Sequence, residues 1–231
     1  VVGAGWKPAD TETPGTLQWL KNPGTLEKEW AMFPIPCDDP SVHRMRAIDI
    51  DGDGKPEIVH VPLQGRGASS KGNFTDGKPA RITAYPLPKD PTKPENWKSI
   101  VLSEQLYVIH NFDPVYQDDE KTNLASILTA SYDGVHALWI DKGKVIKHYH
   151  LGVGNQDHPK SNRGASEVRR GKIGNPARPG RSHFAVAIEP WHGNQVVVYP
   201  IEAANDEPCP RFVIDAQLRW GHAIQCANLD G

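Results

Sequence analysis

Four short apolar runs recur in one order along this chain, and no other feature narrows its fold so far. "GTLQWLKNPG", "ARITAYPLP", "GVHALWIDKG" and "NQVVVYPIE" each read as a strand carrying an aromatic: Trp19, Tyr85, Trp139 and Tyr199. Each is followed by another run, "EWAMFPI", "NWKSIVL", "VIKHYHL" or "RFVIDAQ", and preceded by "VVGAG", "EIVHVPL", "SILTASYDG" or "HFAVAIEP". Before those come "HRMRAIDID", "HNFDPVY" and "SEVRRGKIG", while "HAIQCANLD" opens a fresh set. Alternation over short runs, broken by Gly, Pro, Asn and Asp, predicts β-strands, and no long window carries helical periodicity. A repeated unit of four strands has the size and form of a propeller blade. The expected fold is all-β, a β-propeller of four-stranded blades forming a single domain. It divides into a partial blade over 1–40, blades over about 41–106, 107–162 and 163–220, and the start of another at 221–231. A β-sandwich is the alternative, weakened by the ordered repetition. About four blades would leave raw sheet edges, so further blades of the same chain are expected beyond this segment.

A net charge of -2 over 231 residues, with no Lys/Arg block, argues against nucleic acid or an anionic membrane surface as partner. The apolar runs "FAVAI" and "VVVY" are far too short to span a bilayer. The chain opens inside "VVGAG" and stops at "NLDG", so it reads as a piece of a longer protein, and a missing leader carries no weight. The sequon at Asn73 favours, slightly, an extracellular or periplasmic setting. Cys37, Cys209 and Cys226 lack the paired spacing of a zinc ribbon or redox motif. Cys226 alternates with Ile224 on a predicted strand and is expected in the core.

The run "DIDGDGKPE" offers Asp49, Asp51 and Asp53 at alternate positions, then Glu57, with Gly54 allowing a sharp turn. Such hard oxygen donors suit calcium or magnesium. An EF-hand would need Glu where His60 stands and helices on both flanks, and these flanks are strands. The loop instead resembles the cation loop of FG-GAP/VCBS-type propeller repeats. A solvated acidic turn without an ion is the plainer alternative. "NLDG" looks like a second copy, whereas "YQDDEKTN" and "IGNPARPG" have degenerated. Any ion here is expected to be structural.

Histidines keep register with that loop. His43 lies six residues before Asp49 and His222 six before Asn228, while His110 opens the first strand of the intervening blade. In the remaining blade the place falls to Ser166 or Glu167. First strands line a propeller's channel, so these residues should gather on one face near the axis, opposite the acidic loop. The turns "LQGRG", "SYDG" and "PWHGN" should reach the same face, adding Gln64, Arg66, Tyr132, Asp133, Trp191, His192 and Asn194. Histidines, a carboxylate, an arginine and aromatics converging in a hollow make a polar small-molecule pocket. Three histidines with a fourth position open are a catalytic zinc set, here His43, His110 and His222. A single histidine at a strand start is ordinarily a hydrogen-bonded surface residue; the shared register argues for a common site. His136, His148, His150, His158 and His183 are expected to be structural. Arg44 alternates to the other side of its strand and is expected to pack between blades.

Taken in order, "LQWLKNPGTLEKEW", "SVHRMRA", "VIHNF", "ASYDGVHALWIDKG", "GASEVRRGKI", "EPWHGNQVVVY" and "GHAIQCANLDG" resemble the propeller of the fungal aldos-2-ulose dehydratase family over nearly the whole chain. The "HGN" turn and the histidine register are its more specific parts. The resemblance implies a seven-bladed propeller with bound zinc, followed by cupin domains, acting on a small sugar such as 1,5-anhydro-D-fructose. Nothing in this chain looks like a cupin. The expected function is zinc-assisted dehydration of a keto-sugar. Glu167 or His192 would act as base and Tyr132 or Arg66 would stabilise the developing oxyanion, with Trp191, Asn194 and Asp133 contacting substrate. Two alternatives stand: a non-catalytic sugar-binding propeller in which Trp191 and Tyr132 stack on a ring, and a propeller polysaccharide lyase.

Overall fold

Period-2 runs that follow one another in the sequence find their nearest partners in their sequence neighbours, and the computed structural model of the chain pairs them so. It describes residues 2–4, 9–116, 125–157, 163–173, 183–201 and 207–228. The first sheet is β1 (Val2–Ala4), β2 (Thr16–Lys21) and β3 (Ala31–Ile35). The second is β4 (Val42–Ile48), β5 (Glu57–Pro62), β6 (Ala80–Tyr85) and β7 (Ile100–Leu106). β8 (Asn111–Tyr116), β9 (Ala125–Ser131), β10 (Gly134–Asp141) and β11 (Lys144–Gly152) make the third. The fourth is β12 (Glu167–Lys172), β13 (His183–Glu189), β14 (Gln195–Pro200) and β15 (Phe212–Asp215). All pairings are antiparallel and consecutive, the arrangement a short hairpin turn permits. At the β10–β11 hairpin both central residues, Lys142 and Gly143, take positive φ (48° and 75°), as a type I′ turn demands. Among the described residues the sole helical element is the 3-10 turn Pro94–Asn96, and no helix is long and apolar enough to cross a membrane. The chain is thus all-β, with antiparallel sheets in a partial β-propeller of four-stranded blades.

The cores lie between successive sheets. Leu17, Ile35, Val42, Tyr85 and Trp97 fill the first gap, and Ile48, Val59, Ile82, Ile109, Phe112, Ile127 and Leu138 the second. Leu128, Ala137, Val168, Ala187, Val197 and Tyr199 fill the third. Ile127 and Leu128 therefore serve different cores, and β9 is buried at every position, because a sheet covered on both faces needs no polar side. β15 is exposed throughout, as a rim strand should be. The first strands β4, β8 and β12 neighbour one another, so their starts come together at one end.

Residues 221–228, predicted as an inner strand, form none. A strand is stabilised by its ladder, and this segment has no neighbour to pair with among the described residues. Cys226 is accordingly half-buried rather than in a core. His158 and all but the first residue of "YQDDEKTN", "IGNPARPG" and "NLDG" lie outside the described residues.

Candidate functional site

Four separate stretches deliver the histidines to the shared end of β4, β8 and β12. Val42 pairs with Pro62 and Arg44 with Val61, leaving His43 as the extra residue of a β-bulge, which re-aims side chains at a strand end. His110 immediately precedes β8, its N–H donating to the Ala130 carbonyl at 3.0 Å. Glu167 is the first residue of β12. His192 sits in the β13–β14 turn at φ 50°. That turn is tight: a Cβ on Gly193 would lie 2.1 Å from the Glu189 carbonyl oxygen. His222 arrives on the segment after β15, which is tied to the same turn by Leu218 N–H to Asn194 O (3.1 Å) and Gly221 N–H to Gly193 O (3.0 Å).

His110 is the hub. Its ring centroid lies 5.0 Å from that of His43, 4.8 Å from His192 and 5.1 Å from His222. Its Nδ1 is 3.0 Å from the Ser166 carbonyl and 3.3 Å from Glu167 Oε1. A carbonyl only accepts, so Nδ1 carries the proton and Nε2 holds the lone pair. That Nε2 faces His192 Nε2 at 3.0 Å. Ligand nitrogens of His110, His192 and His222 all fall within 4.8 Å of one another. Tetrahedral zinc with bonds of about 2.0–2.1 Å would separate such nitrogens by about 3.3 Å. An outer carbonyl or carboxylate on Nδ1 is the usual support of a ligating imidazole. The donor set fits a zinc-class ion.

Glu167, 1% exposed, binds this cluster together. Asn111 Nδ2 donates to its Oε2, Arg44 Nη2 lies 3.5 Å from Oε1, and His222 Nδ1 lies 3.8 Å from the same oxygen. Burial pushes its carboxyl upward, but the hydrogen bonds from His110 and Asn111 and the charge of Arg44 outweigh it and hold the group below its ordinary range. Burial first, then Arg44 and His110, pushes His43 down to about 3. Burial with His110 and His222 takes His192 down to about 4. Both rings are therefore neutral near pH 7. Trp191 borders them, its ring centroid 6.0 Å from His110 and 5.2 Å from His192. An open cavity of about 350 Å³, lined by the 190–194 turn with Leu218, Arg219 and Trp220, adjoins it.

Several predicted members stand elsewhere. Arg66 donates to the carbonyls of Glu12 and Asp38, in the crossing beside the first sheet, which draws its guanidinium away from the histidines. Gln64 Oε1 accepts from the Ser41 hydroxyl at 3.2 Å. Asp133 accepts the Tyr107 N–H at 2.6 Å. Among the described residues no hydrogen bond or ring contact links Tyr132 to the cluster. Asn194 Nδ2 donates to Ala216 O at 3.3 Å, so it fastens the strap that carries His222. Conversely, Arg44 does more than pack between sheets: its Nε donates to the His110 carbonyl at 3.2 Å and it reaches Glu167. Alternation hid this, because the bulge at His43 breaks the alternation. Asn111 was missed too; nothing in its sequence setting distinguishes it.

The opposite end of β4 carries the acidic turn. Donor oxygens of Asp49, Asp51 and Asp53 lie within 4.8 Å of one another. Asp49 accepts from Gly52 N–H (2.8 Å) and Gly54 N–H (2.9 Å), Asp51 from Asp53 N–H (3.1 Å), and Asp53 from Lys55 N–H (2.7 Å). Glu57 is outside that set; its buried carboxylate accepts the Ile50 N–H at 3.0 Å. A third group, His136, His148 and His150, occupies β10 and β11. His148 Nε2 lies 3.0 Å from His136 Nδ1, and the His136 and His150 rings stack at 4.5 Å.

Comparison with known proteins follows the same stretch of chain. The family model described as "Aldos-2-ulose dehydratase, beta-propeller domain" matches residues 14–202. A curated relative, aldos-2-ulose dehydratase of Phanerodontia chrysosporium, is 26% identical over 232 residues. The alignment covers 94% of this chain and 24% of the relative, so the chain spans that minor part of the relative's length.

Proposed function

This chain belongs to the aldos-2-ulose dehydratase β-propeller family, and on that premise we propose that it dehydrates a keto-sugar such as 1,5-anhydro-D-fructose at the histidine cluster. One observation carries the reading: three imidazole donors converge within 4.8 Å, and the hub imidazole is held in one tautomer by Ser166 and Glu167. A zinc ion held by His110, His192 and His222 would polarise the sugar carbonyl as a Lewis acid, acidifying the neighbouring C–H. His43, neutral and outside that donor set, would take the proton from this carbon and return it to the hydroxyl on the next carbon, which leaves as water while the carbon–carbon double bond forms. The low proton affinity of His43 requires an acidified C–H, so the two halves of the site need each other. Glu167 does not move the proton. It is a positioning residue, keeping His110 Nδ1 protonated and its Nε2 directed inward. Trp191 offers a face for the sugar ring, and a cavity of about 350 Å³ is of the size small ligands occupy.

A second reading is a sugar-binding module without catalysis, favoured by Trp191 and Trp220 flanking an open cavity. Elemental analysis of the full-length protein beside its His110→Ala variant separates the two: zinc that is lost in the variant supports the enzyme, and zinc content that the variant leaves unchanged supports the module. The direct test is turnover of 1,5-anhydro-D-fructose, followed by absorbance of the unsaturated product with and without chelator. His110→Ala should lower turnover about 10²- to 10⁴-fold. Full activity in that variant, or in chelated enzyme, refutes the assignment.

A further inference from the structure

A second cluster of metal-type donors lies away from the histidines, where the chain crosses from the first sheet to the second. β3 ends at Ile35 and β4 begins at Val42; Cys37 and Asp39 sit between them, outside any ladder. His60 faces them from β5. Its direct cross-strand partners are Met45 and Thr83, so these three side chains share one face. Met45 and Cys37 pack together against the core between the first and second sheets. The Cys37 sulfur, an Asp39 carboxylate oxygen and a His60 ring nitrogen all fall within 4.8 Å of one another.

Ordinary packing does not account for the arrangement. His60 is 0% exposed, and neither of its ring nitrogens has a hydrogen-bond partner. Thr83 Oγ1, on the same face, has none either. Asp39 is buried; its Oδ1 accepts from Arg81 Nε at 2.9 Å, while Oδ2 has no hydrogen bond and stands 3.6 Å from His60 Nδ1. Buried imidazoles and carboxylates are normally satisfied. Here an unsatisfied nitrogen, an unsatisfied carboxylate oxygen and a thiol point at one spot.

We propose that Cys37, Asp39 and His60 bind a zinc-class divalent ion that staples the crossing segment to the second sheet. Thiolate with imidazole selects zinc-class ions over calcium or magnesium. The outer partners are in place: Arg81 orients Asp39, and the Tyr85 hydroxyl hydrogen-bonds the Cys37 thiol, the kind of support ligating groups receive. Zinc bonds of about 2.3 Å to sulfur and about 2.0–2.1 Å to nitrogen draw the donors inward by about an ångström. Cys37 and Asp39, free of any ladder, can make that move while His60 stays in its strand. On binding, the Cys37 thiol gives up its proton to solvent, and the thiolate forms the metal–sulfur bond. A cavity of about 320 Å³ bordered by Asp38, Asp39, Arg81 and Glu104 leads to the site. The cluster shares no residue with the histidine mouth, so it stands or falls independently of the dehydratase reading.

Cobalt(II) titrated into the metal-stripped full-length protein tests this, read by thiolate-to-cobalt charge-transfer absorption, which an all-histidine site cannot produce. The band should be saturable, be bleached by zinc, vanish in Cys37→Ser and His60→Ala, and persist in His110→Ala. Circular dichroism checks that each variant is folded. If Cys37→Ser does not fold, Asp39→Asn is read instead, with cobalt affinity expected to fall about tenfold or more. Absence of the band in the natural protein, its survival in folded Cys37→Ser, or unchanged affinity in Asp39→Asn overturns the proposal.

Discussion

At one end of β4, Asp49, Asp51 and Asp53 are held by N–H groups of their own turn, none more than five residues away. At the other end, His43 belongs to a cluster whose bonds join residues 56 and 82 positions apart. β4 is about 20 Å long at about 3.3 Å per residue, so the two groups do not share electrostatics. The acidic turn is exposed and would exist in any hairpin with that sequence. The histidine mouth exists only when three sheets have packed. A local cluster should respond to mutation in stability, a long-range one in function.

The largest test of that contrast is Glu167→Gln, which keeps shape but removes the charge beside His110, Arg44 and His222. Activity and metal affinity should each drop about 10- to 100-fold, measured by turnover and by zinc retention during dialysis. Unchanged values would mean that the carboxylate does not position the ring.

Acid offers an intermediate test on the β10–β11 histidines. Burial, with His150 and His148, pushes His136 down to about 3 from its ordinary 6.5. Between those values the unfolded chain binds a proton that the folded one does not, so stability rises with pH. The His136 contribution is complete above about 6.5 and is lost as pH falls toward 3, at up to about 1.4 kcal/mol per pH unit. Denaturant midpoints at pH 7, 6 and 5 should therefore fall less steeply in His136→Phe than in the natural protein. Parallel slopes would refute a buried neutral His136.

The smallest expected effect is that of Asp51→Ala. Losing the bond to Asp53 N–H should cost about 0.5–1.5 kcal/mol, seen as a lower melting temperature, with turnover unchanged. A normal melt together with lost activity would reverse the comparison and move the chemistry to the acidic turn.

The strands were the readable part. Each apolar run singled out in the sequence forms one, apart from the segment at 221–228, and hairpin signals such as "DKG" at 141–143 mark turns that glycine permits. The site was readable only where register carried it. His43, His110 and His222 follow from the register read in the sequence, although His43 is a bulge within β4 and no strand follows His222 among the described residues, and His192 follows from its turn. Arg44 escaped because a bulge changes which way consecutive residues point. Arg66 was expected at the mouth and instead serves carbonyls of Glu12 and Asp38, residues that no spacing rule connects to it. Cys37, Asp39 and His60 form a group only because Met45, His60 and Thr83 face the chain crossing from the first sheet.

Sequence by itself determined what is local in this protein: where strands begin and end, which neighbours pair, and the self-contained acidic turn. Alternation and turn chemistry act over a few residues and need no partner. Tertiary structure decided which side chains share a donor set, which guanidinium reaches Glu167, and which imidazoles lose their proton affinity. Those outcomes depend on how sheets stack through residues such as Ile109, Phe112 and Tyr199. Packing sets distances between atoms that are far apart in sequence, and burial sets the cost of charging them.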